Sequence, residues 1–311
     1  MGKVLNKIDN QQVRLKDLGD FGVALSIKRE DKIHPFISGN KYRKLKYNIL
    51  KADEQKKDTL LTFGGAFSNH ISAVAFVGKE FGFKTIGIIR GDELGNDLDK
   101  TLMQNITLRL AYEHGMEFKF VARSDYRFKH TNEFIEDLKK EFGDFYLIPE
   151  GGTNKLAVKG CEEILKPEDD NFDFICVAIG TGGTISGLIN TENNNQKILG
   201  FPALKGDFLH KEIEKYSIEG KNWSLIKEYH FGGFGKVNEE LITFINRFKE
   251  ETGIPLDPIY TGKMMFGIVD MIKKGQFKKG VKILAIHTGG LQGIDGMNSR
   301  LKKKNLVLIN K

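Results

Sequence analysis

Residues 172–184 read FDFICVAIGTGGT, an apolar run that passes straight into a glycine-rich turn. The run over 172–179 is short and almost continuously apolar, which is typical of a strand covered on both faces of a sheet. A helix is expected to begin near Ile185, directly after the turn. The stretch therefore predicts a strand, a turn and a helix in succession, the unit from which α/β proteins are built.

The same alternation continues on both sides of this stretch. Buried strands are predicted at residues 58–63, 84–90, 116–121 and 281–286. Alternating strands and helices imply mostly parallel sheets joined by right-handed crossovers. The helices are predicted from five apolar faces: Tyr42, Leu45, Ile49 and Ala52; Ile71, Val74, Ala75 and Gly78, before a C-terminal cap at Gly82; Leu98, Leu102, Ile106 and Leu110; Phe134, Leu138 and Phe142; and Leu241, Phe244, Ile245 and Phe248.

The composition is that of an ordinary globular protein. The chain has 311 residues, of which 40% are hydrophobic and 29% are charged, enough for one large α/β domain or two linked ones. Its formal charge of +7 comes from lysines scattered through amphipathic segments, with one dense run at 302–304. A solvated surface explains this charge better than a nucleic-acid site, and the mild positive field favours anionic small molecules.

Neither the cysteines nor the hydropathy points to a metal or a membrane. Cys161 and Cys176 do not form a CxxC pair, so we expect two reduced, partly buried thiols and no metal site. The first ten residues, MGKVLNKIDN, lack the apolar region of a signal peptide, and no stretch is long enough to span a bilayer. A cytoplasmic protein without a membrane partner is therefore expected.

Three of the predicted strands run directly into glycine-rich turns. These turns are FGGAFSN at 63–69, IGTGGT at 179–184 and HTGG at 287–290. Glycine lets backbone N–H groups approach a ligand closely, and ligands of open α/β sheets bind beyond the carboxyl ends of the strands. The three turns together predict a ligand site at that edge of the sheet.

The turn at 181–184 has the features of a phosphate site. It lies between a strand and a helix, so that several N–H groups and the positive end of the helix dipole aim at one point. Its spacing is neither the GxGxxG of a dinucleotide site nor the GxxxxGKS/T of a nucleoside-triphosphate site. A single phosphate monoester is the better interpretation, and a plain tight turn is the alternative.

A lysine precedes the first long helix in the segment SGNKYRKL, residues 38–45. Lys41 lies near the start of this helix, where the positive end of the dipole favours its neutral amine. A neutral amine is what attack on an aldehyde requires. Considered alone in so lysine-rich a chain, a solvated side chain is the simpler alternative for Lys41.

Taken in order, the segments SGNKYRKL, GGAFSNH, GTGGT, LDPIYTGK and HTGG resemble those of the D-cysteine desulfhydrase and 1-aminocyclopropane-1-carboxylate deaminase family. The resemblance implies the tryptophan-synthase-β-like fold of type II, with two open twisted α/β domains and mostly parallel sheets. It implies pyridoxal 5'-phosphate as cofactor, a small amino acid as substrate and a homodimer as assembly. We expect a large cofactor-binding domain from residues 1–50 and 151–311, with a small α/β domain of residues 51–150 inserted into it.

The resemblance assigns cofactor contacts residue by residue. Lys41 matches the lysine that forms the Schiff base, and Asn69 matches the asparagine that bonds the phenolic oxygen. Once released, Lys41 is expected to take the α-proton as general base. Thr261 matches the residue that faces the pyridine nitrogen, and Thr288 is expected to border the ring. The segment that matches the phosphate loop consists of Thr181, Gly182, Gly183 and Thr184.

Substrate contacts follow from the same resemblance. Ser68 matches a serine proposed as nucleophile and as carboxylate contact, and Tyr260 matches an active-site tyrosine close to the substrate. We expect Ser68, Asn69 and His70 to surround the substrate carboxylate at a helix start, where N–H groups favour an anion. His70 is expected either to polarise Ser68 or Tyr260, or to be hydrogen-bonded locally.

Two positions favour the desulfhydrase branch of the family. The deaminases carry Ser-Asn-Gln where this chain has Ser68-Asn69-His70. They carry Tyr-Glu where this chain has Tyr260-Thr261. A glutamate at the pyridine nitrogen deepens the electron sink, whereas a threonine does so less, which suits the loss of a good leaving group. We therefore expect β-elimination from D-cysteine to pyruvate, ammonia and hydrogen sulfide. Ring opening of 1-aminocyclopropane-1-carboxylate to 2-oxobutanoate and ammonia is the alternative.

Two other positions depart from the family. Phe234, in FGGFG at 231–235, stands where a tyrosine is usual, so one hydroxyl is missing and ring opening is the less favoured reaction. Glu150 stands where the family more often has an uncharged residue, and a surface role is the simplest interpretation. The change at Phe234 leaves open a non-catalytic protein that binds or senses the cofactor. A serine or threonine dehydratase, or a cysteine-synthase-like transferase, is a further alternative.

Overall fold

The computed structural model describes residues 6–37 and 39–310. Ser38 of the lysine segment, and half of the ten residues examined for a signal peptide, lie outside these ranges. The strands of the described chain are β1 (Asn10–Gln12), β2 (Ala24–Lys28), β3 (Thr59–Gly65), β4 (Lys84–Arg90), β5 (Met116–Val121), β6 (Tyr146–Ile148), β7 (Phe174–Ile179), β8 (Lys197–Pro202), β9 (Trp223–Leu225) and β10 (Lys282–Ile286).

Helices connect and cover these strands. The α-helices of the described chain are α1 (Asn40–Glu54), α2 (Asn69–Phe81), α3 (Leu98–Gln104), α4 (Ile106–Glu113), α5 (Asn132–Phe142), α6 (Lys155–Cys161), α7 (Gly183–Thr191), α8 (Phe208–Glu214), α9 (Glu239–Thr252), α10 (Thr261–Lys273) and α11 (Gly293–Lys302). Short 3-10 helices occupy Lys16–Phe21, Glu30–Lys32, Asp92–Gly95, Asp125–Phe128, Glu150–Gly152 and Pro167–Asp169. None of the helices within 6–37 and 39–310 combines the length and apolarity needed to cross a membrane.

The strands form two sheets. The larger has the order β1-β2-β10-β7-β8-β9, in which β1 pairs antiparallel with β2 and all other neighbours are parallel. The smaller has the order β5-β4-β3-β6 and is parallel throughout. The predicted fold class, α/β with mostly parallel sheets, is therefore confirmed.

The predicted strands are all present, with ends that shift by at most two residues. Five strands were not predicted: β1, β2, β6, β8 and β9. Three of these have only three residues, and β8 contains Gly200, which weakens the sequence signal of a strand. A Cβ at Gly200 would lie 2.4 Å from Ile179 Cδ1 and 2.5 Å from Ile185 Cδ1, so close packing requires glycine there.

The prediction of one helix across Leu98–Leu110 is wrong. The chain forms α3 and α4 instead, separated by Asn105 in an extended conformation with φ −126° and ψ 99°. The side-chain Oδ1 of Asn105 accepts a hydrogen bond of 3.0 Å from the backbone N–H of Leu108. Asparagine is a strong helix N-cap, so it ends one helix and starts the next although the apolar spacing continues.

Strand β10 shows how the larger sheet is covered on both faces. Ile283 and Ala285 belong to the apolar cluster that includes α9 and α10, whereas Leu284 and Ile286 belong to the cluster that includes α7. All four are fully buried. Because successive side chains of a strand point to opposite faces, burial of both sets explains the continuous apolar run.

Both cysteines lie inside the protein. Cys161 and Cys176 are free thiols with no measurable exposure, more buried than the sequence led us to expect. Burial raises the pKa of Cys161 from 9.0 to about 11, and it raises the pKa of Cys176 still further. Both thiols are therefore protonated at neutral pH and unreactive.

The division into two domains stays a prediction. The smaller sheet takes its strands from residues 59–148, inside the expected insertion. The expected boundary at residue 50 falls within α1, which packs in the apolar cluster of the smaller sheet through Leu45 and Ile49 and also contacts α6 and α7. Helix α1 therefore connects the layers of the two sheets.

Candidate active site

The three glycine-rich turns meet around the start of α1. Strands β3, β7 and β10 each end at the turn predicted for them. The backbone of Gly39, before α1, approaches the third turn so closely that a Cβ there would lie 2.0 Å from the carbonyl oxygen of Thr288. In the same way, a Cβ at Gly290 would lie 2.9 Å from Nδ2 of Asn69 in the first turn.

Lys41 in the first turn of α1 is linked to the predicted phosphate turn. Its Nζ donates a hydrogen bond of 2.9 Å to Oδ1 of Asn40, whose Nδ2 donates in turn to Oγ1 of Thr184 over 2.8 Å. Burial, with a smaller effect from the nearby ammonium of Lys44, lowers the pKa of Lys41 from 10.5 to about 7. Burial rather than the helix dipole is therefore the main reason to expect a neutral, nucleophilic amine.

The turn at Thr181–Thr184 leads into helix α7. This helix begins at Gly183, two residues earlier than expected, so the second half of the turn forms its first helical residues. Gly182 has φ 88°, a left-handed conformation that favours glycine. A Cβ at Gly183 would lie 2.9 Å from Oγ1 of Thr153, so glycine is required for packing there as well. The free N–H groups of this nine-residue helix suit a phosphate.

Lys44 is a buried cation at the same turn and was not predicted. Its Nζ donates to the carbonyl oxygen of Gly151 at 3.2 Å, to Oγ1 of Thr153 at 3.0 Å and to Oγ1 of Thr181 at 3.2 Å. The residue is 3% exposed, and burial lowers its pKa. Its position three residues after Lys41, on the same face of α1, is the sequence signal that would have pointed to it.

The first turn places its polar residues at the start of α2. Ser68 is the N-cap, and its Oγ accepts from the backbone N–H groups of His70 at 3.3 Å and Ile71 at 3.4 Å. Asn69 is the first helical residue, and its buried Oδ1 has no hydrogen-bond partner among the described residues. A buried acceptor without a partner is a position where a bound molecule or water is expected.

The imidazole of His70 makes a local hydrogen bond rather than one to either expected catalytic partner. Its Nε2 lies 2.8 Å from Oγ1 of Thr62, and Thr62 donates its own hydrogen to the carbonyl of Ile148 over 2.9 Å. The ring therefore donates from Nε2, and Nδ1 is the acceptor nitrogen. Burial and the nearby Lys41 and Lys44 hold the pKa of His70 well below 6.5, so the ring is neutral.

Asp257 orders the segment that enters α10. Its Oδ1 accepts from the backbone N–H groups of Ile259 at 2.9 Å and Tyr260 at 2.8 Å. Its Oδ2 accepts from the backbone N–H of Thr261 at 2.8 Å and from the hydroxyl of Thr261 at 2.6 Å. Asp257, 1% exposed, was not predicted, although an aspartate followed by Pro258 is a typical signal of a helix start.

Tyr260 lies against the phosphate turn. A Cβ at Gly180 would be 3.2 Å from Cε1 and 3.4 Å from the hydroxyl oxygen of Tyr260. The ring of Phe234, half exposed, packs edge-on against Tyr260 with centroids 6.1 Å apart. Burial and the carboxylates of Asp257 and Glu150 raise the pKa of Tyr260, so its hydroxyl is protonated at neutral pH.

The remaining predicted features lie at the border of this group. Thr288 is buried, and its carbonyl accepts from the backbone N–H of Asn40 at 3.3 Å. His287 is satisfied structurally, since Nε2 lies 2.8 Å from the carbonyl of Pro255 and Nδ1 accepts from the N–H of Gly289 at 3.2 Å.

Glu150 forms a partly exposed ion pair. Its Oε2 lies 3.3 Å from Nζ of Lys129, and 36% of the Glu150 side chain is exposed. This agrees with the surface role that was the simplest interpretation. The carboxylate nevertheless acts at a distance on the site, because it contributes to the raised pKa of Tyr260.

These groups fit a phosphorylated aldehyde. The start of α7 and the Lys44 ammonium suit the phosphate, the Lys41 amine suits the aldehyde, and the unpartnered Oδ1 of Asn69 marks an unsatisfied polar position beside them. The fold and the site together define a cofactor-dependent enzyme that acts through a lysine.

The chain belongs to the family of pyridoxal-phosphate dependent enzymes, whose sequence profile matches residues 7–289. It is 32% identical to the bifunctional D-cysteine desulfhydrase/1-aminocyclopropane-1-carboxylate deaminase, mitochondrial, of Arabidopsis thaliana, over 88% of this chain and 74% of the relative. It is 31% identical to the 1-aminocyclopropane-1-carboxylate deaminase of Rhizobium rhizogenes, over 88% of this chain and 89% of the relative. A solved structure of an ACC deaminase homologue superposes with a TM-score of 0.77 and 29% identity, covering 96% of this chain and 92% of the other.

The family, the cofactor and the enzymatic nature of the chain are confirmed by these comparisons. The chain is a pyridoxal-phosphate dependent lyase or deaminase of the group that contains D-cysteine desulfhydrases and 1-aminocyclopropane-1-carboxylate deaminases. The alternative of a non-catalytic cofactor-binding protein is not supported.

Proposed function

We propose that this enzyme carries out β-elimination on D-cysteine and releases hydrogen sulfide, pyruvate and ammonia. The main support for the proposal is Thr261, the residue that follows Tyr260. Its hydroxyl donates to Asp257 over 2.6 Å, and its Oγ1 accepts from the backbone N–H of Asp257 at 3.0 Å. The resemblance assigns Thr261 to the pyridine nitrogen; in that position it would bring no carboxylate of its own, and its hydroxyl hydrogen is already bonded to Asp257. A weaker electron sink suits a substrate with a good leaving group such as thiolate.

Lys41 is the base that we assign to the α-proton. Bound pyridoxal phosphate supplies an electron sink for the electrons of the broken Cα–H bond. With a pKa of about 7, the amine of Lys41 is in large part neutral at neutral pH and accepts that proton at Nζ. Such a base is matched to the working pH, whereas an ordinary lysine with a pKa near 10.5 is protonated.

Tyr260 is the hydrogen-bond donor that we assign to the leaving group. When the Cβ–S bond breaks, its electron pair departs with the sulfur, which then needs a proton or a hydrogen bond. The raised pKa of Tyr260 keeps its hydroxyl protonated, so Tyr260 donates a hydrogen bond to the departing sulfur, which takes its proton from water. The 2-aminoacrylate that is left hydrolyses to pyruvate and ammonia.

Ser68 and Asn69 are assigned to the substrate carboxylate. The Oγ of Ser68 accepts from two backbone N–H groups, so its own hydrogen is free to bond a carboxylate oxygen. The start of the thirteen-residue helix α2 adds a positive dipole at the same place. Elimination from D-cysteine needs no nucleophile, so Ser68 serves as a carboxylate contact in this reaction.

Deamination of 1-aminocyclopropane-1-carboxylate is the second candidate, favoured by the name of the Rhizobium rhizogenes relative and by half of the name of the Arabidopsis thaliana relative. That substrate has no α-proton, so a nucleophile or base has to attack the ring. Ser68 and Tyr260 are the candidates for this step. Phe234, beside Tyr260, lacks the hydroxyl usual at its position, which makes ring opening the less favoured reaction.

A two-substrate assay tests the choice. Purified enzyme loaded with cofactor is assayed for pyruvate and sulfide from D-cysteine and for 2-oxobutanoate from 1-aminocyclopropane-1-carboxylate. We expect kcat/KM for D-cysteine to be at least about tenfold higher, a difference of about 1.4 kcal/mol in transition-state free energy. L-cysteine, L-serine and L-threonine complete the panel, because activity on these alone would indicate a dehydratase or transferase instead.

Phe234→Tyr sharpens the test by restoring the missing hydroxyl. We expect this variant to gain activity on the cyclopropane substrate while its activity on D-cysteine changes little. Phe36→Tyr is the control, because Phe36 is also more than half exposed but packs on Phe76 of α2. A wild-type enzyme that prefers the cyclopropane substrate would refute the proposal. The homodimer also stays a prediction, and light scattering on the same preparation tests it.

A further inference from the structure

The segment His230–Gly235, which we name the Phe234 loop, lies in the connection between β9 and α9. Four of its six residues have a left-handed backbone, including the non-glycine Phe231. That conformation is unfavourable for a phenylalanine, so contacts elsewhere have to hold the loop in this shape. The φ values are 53° at Phe231, 86° at Gly232, 112° at Gly233 and 65° at Gly235.

Lys263 of α10 supplies such contacts. Its Nζ donates to the carbonyl oxygen of His230 and to that of Gly233, each over 2.9 Å. Lys263 is 2% exposed and forms no ion pair with any residue in 6–37 or 39–310. Burying an ammonium without an ion pair is costly, and burial lowers the pKa of Lys263 to about 8, although the Asp257 carboxylate acts in the opposite direction. A buried cation that binds only loop carbonyls is best explained by a need to fix that loop.

The fixed loop reaches the active site through two ring contacts. Phe234 packs edge-on against Tyr260, and Tyr260 lies against Gly180, the residue directly before the phosphate turn. Lys263 and Tyr260 are three residues apart at the start of the same helix. One short helical segment thus holds both the tyrosine and the anchor of the loop that covers it.

We propose that Lys263 is a positioning residue, which holds the Phe234 loop so that Phe234 closes the leaving-group side of the substrate site beside Tyr260. The inference rests on the proposed function in one respect, the assignment of Tyr260 to the leaving group. In this role Lys263 does not contact the reacting atoms. It acts through the loop, and Phe234 forms an apolar wall that keeps water from Tyr260 and limits the size of the leaving group.

A double-mutant cycle tests the proposal. Lys263→Met keeps the length of the side chain but removes its donors, and Phe234→Ala removes the wall. We expect Lys263→Met to lower kcat/KM about tenfold, mainly through KM, with the visible absorbance of the bound cofactor retained. In the Phe234→Ala background the same change should cost less than about twofold, because residues that act through one contact are not additive. If Lys263→Met lowers kcat/KM by the same factor in the Phe234→Ala background as in the wild type, the proposal is overturned.

Hydrogen exchange provides a readout that does not depend on turnover. The backbone N–H of Gly233 bonds the carbonyl of His230 and that of Lys236 bonds the carbonyl of Gly233, so both should exchange faster in Lys263→Met. Lys273→Met, at an exposed lysine of the same helix that pairs with Asp17, is the control and should leave both amides unchanged. Unchanged exchange in Lys263→Met would overturn the proposal.

Two provisions keep this test separate from the proposed function. The kinetic cycle uses whichever amino acid the wild-type enzyme converts, so a failure of D-cysteine as substrate does not affect it. Lys263→Gln replaces Lys263→Met if the latter fails to fold, because the amide retains donors within a similar volume. With Lys263→Gln we expect a smaller KM effect and smaller exchange changes in the same loop, and a loss of thermal stability alone would contradict the positioning role.

Discussion

Replacement of Lys44 by methionine should weaken cofactor binding by about 10- to 150-fold. The ammonium of Lys44 lies at the phosphate turn, 3.2 Å from Oγ1 of Thr181, and no carboxylate within the described residues pairs with it. Because the three N–H groups of Lys44 already bond protein acceptors, it acts on phosphate as a nearby charge, whose contribution we take to equal that of a hydrogen bond to a charged group, about 1.5–3 kcal/mol. Since about 1.4 kcal/mol corresponds to a factor of ten in affinity, that range gives the expected loss.

The same structure predicts a small effect on the cofactor-free protein. Of the three acceptors that Lys44 leaves behind, Thr153 and Thr181 still bond each other through their hydroxyls at 2.6 Å, and only the carbonyl of Gly151 loses its partner. That loss costs about 1–3 kcal/mol. It is offset by removal of a buried ammonium, whose desolvation is costly. The melting temperature of the variant should therefore fall mainly when the cofactor is present.

Titration of the cofactor-free protein with pyridoxal phosphate, followed by visible absorbance, measures this loss directly. Lys41 is intact in the variant, so the absorbance of the lysine-bound cofactor is a valid signal. Lys46→Met is the matched control, because Lys46 lies on the same helix but pairs with Glu163 at 2.6 Å, away from the turn. A dissociation constant for Lys44→Met within about threefold of both wild type and control would refute the reasoning, since about 0.6 kcal/mol is too little for a buried positive charge at the phosphate turn.

Two other outcomes are expected. The rate of pyridoxal phosphate capture by cofactor-free enzyme should rise with pH and reach half its maximum near pH 7, because the lowered pKa of Lys41, about 7, leaves the attacking amine neutral above that pH. Stopped-flow absorbance measures this, and a midpoint above about pH 9 would contradict it. Gly39→Ala should destabilise the fold by more than about 3 kcal/mol in thermal or denaturant unfolding, because its Cβ would lie 2.0 Å from the carbonyl oxygen of Thr288 and φ is 62°. Gly82→Ala, with φ 78° but open space around its Cβ, should cost only about 1–2 kcal/mol, and equal losses in the two variants would refute the steric argument.

The sequence predicts elements well where one signal dominates locally. Strands β4 and β5 begin and end where their apolar runs do, and Gly82 ends α2 in the left-handed conformation expected of it. The signal fails where a local preference competes with periodicity, as Asn105 does between α3 and α4. It also fails where a strand has only three residues, because its position then depends on a neighbour that is distant in sequence.

The site shows more clearly that sequence patterns do not reveal contacts between residues that are distant in sequence. The glycine turns and Lys41 could be recognised one by one, but the hydrogen bond between Asn40 and Thr184 joins residues 144 positions apart. Lys44 and Asp257 were missed for a related reason. Nothing in a lysine-rich sequence marks which lysine will be buried, and an aspartate at a helix start is usually only a cap. Their importance follows from what the folded chain brings next to them.

Buried charged side chains are a feature that the different parts of the site share. Three buried lysines have no ion-pair partner in the described chain, and burial lowers the pKa of each: Lys41, Lys44 and Lys263. Asp257, in contrast, is a buried carboxylate that accepts hydrogen bonds from N–H groups and a hydroxyl. Such amines are unfavourable in an empty protein, because desolvation opposes their charge. A cofactor with a phosphate and a substrate with a carboxylate both bring negative charge to them. Ligand binding should therefore stabilise the fold as well as complete the site, since any ligand that binds only the native state shifts folding towards it.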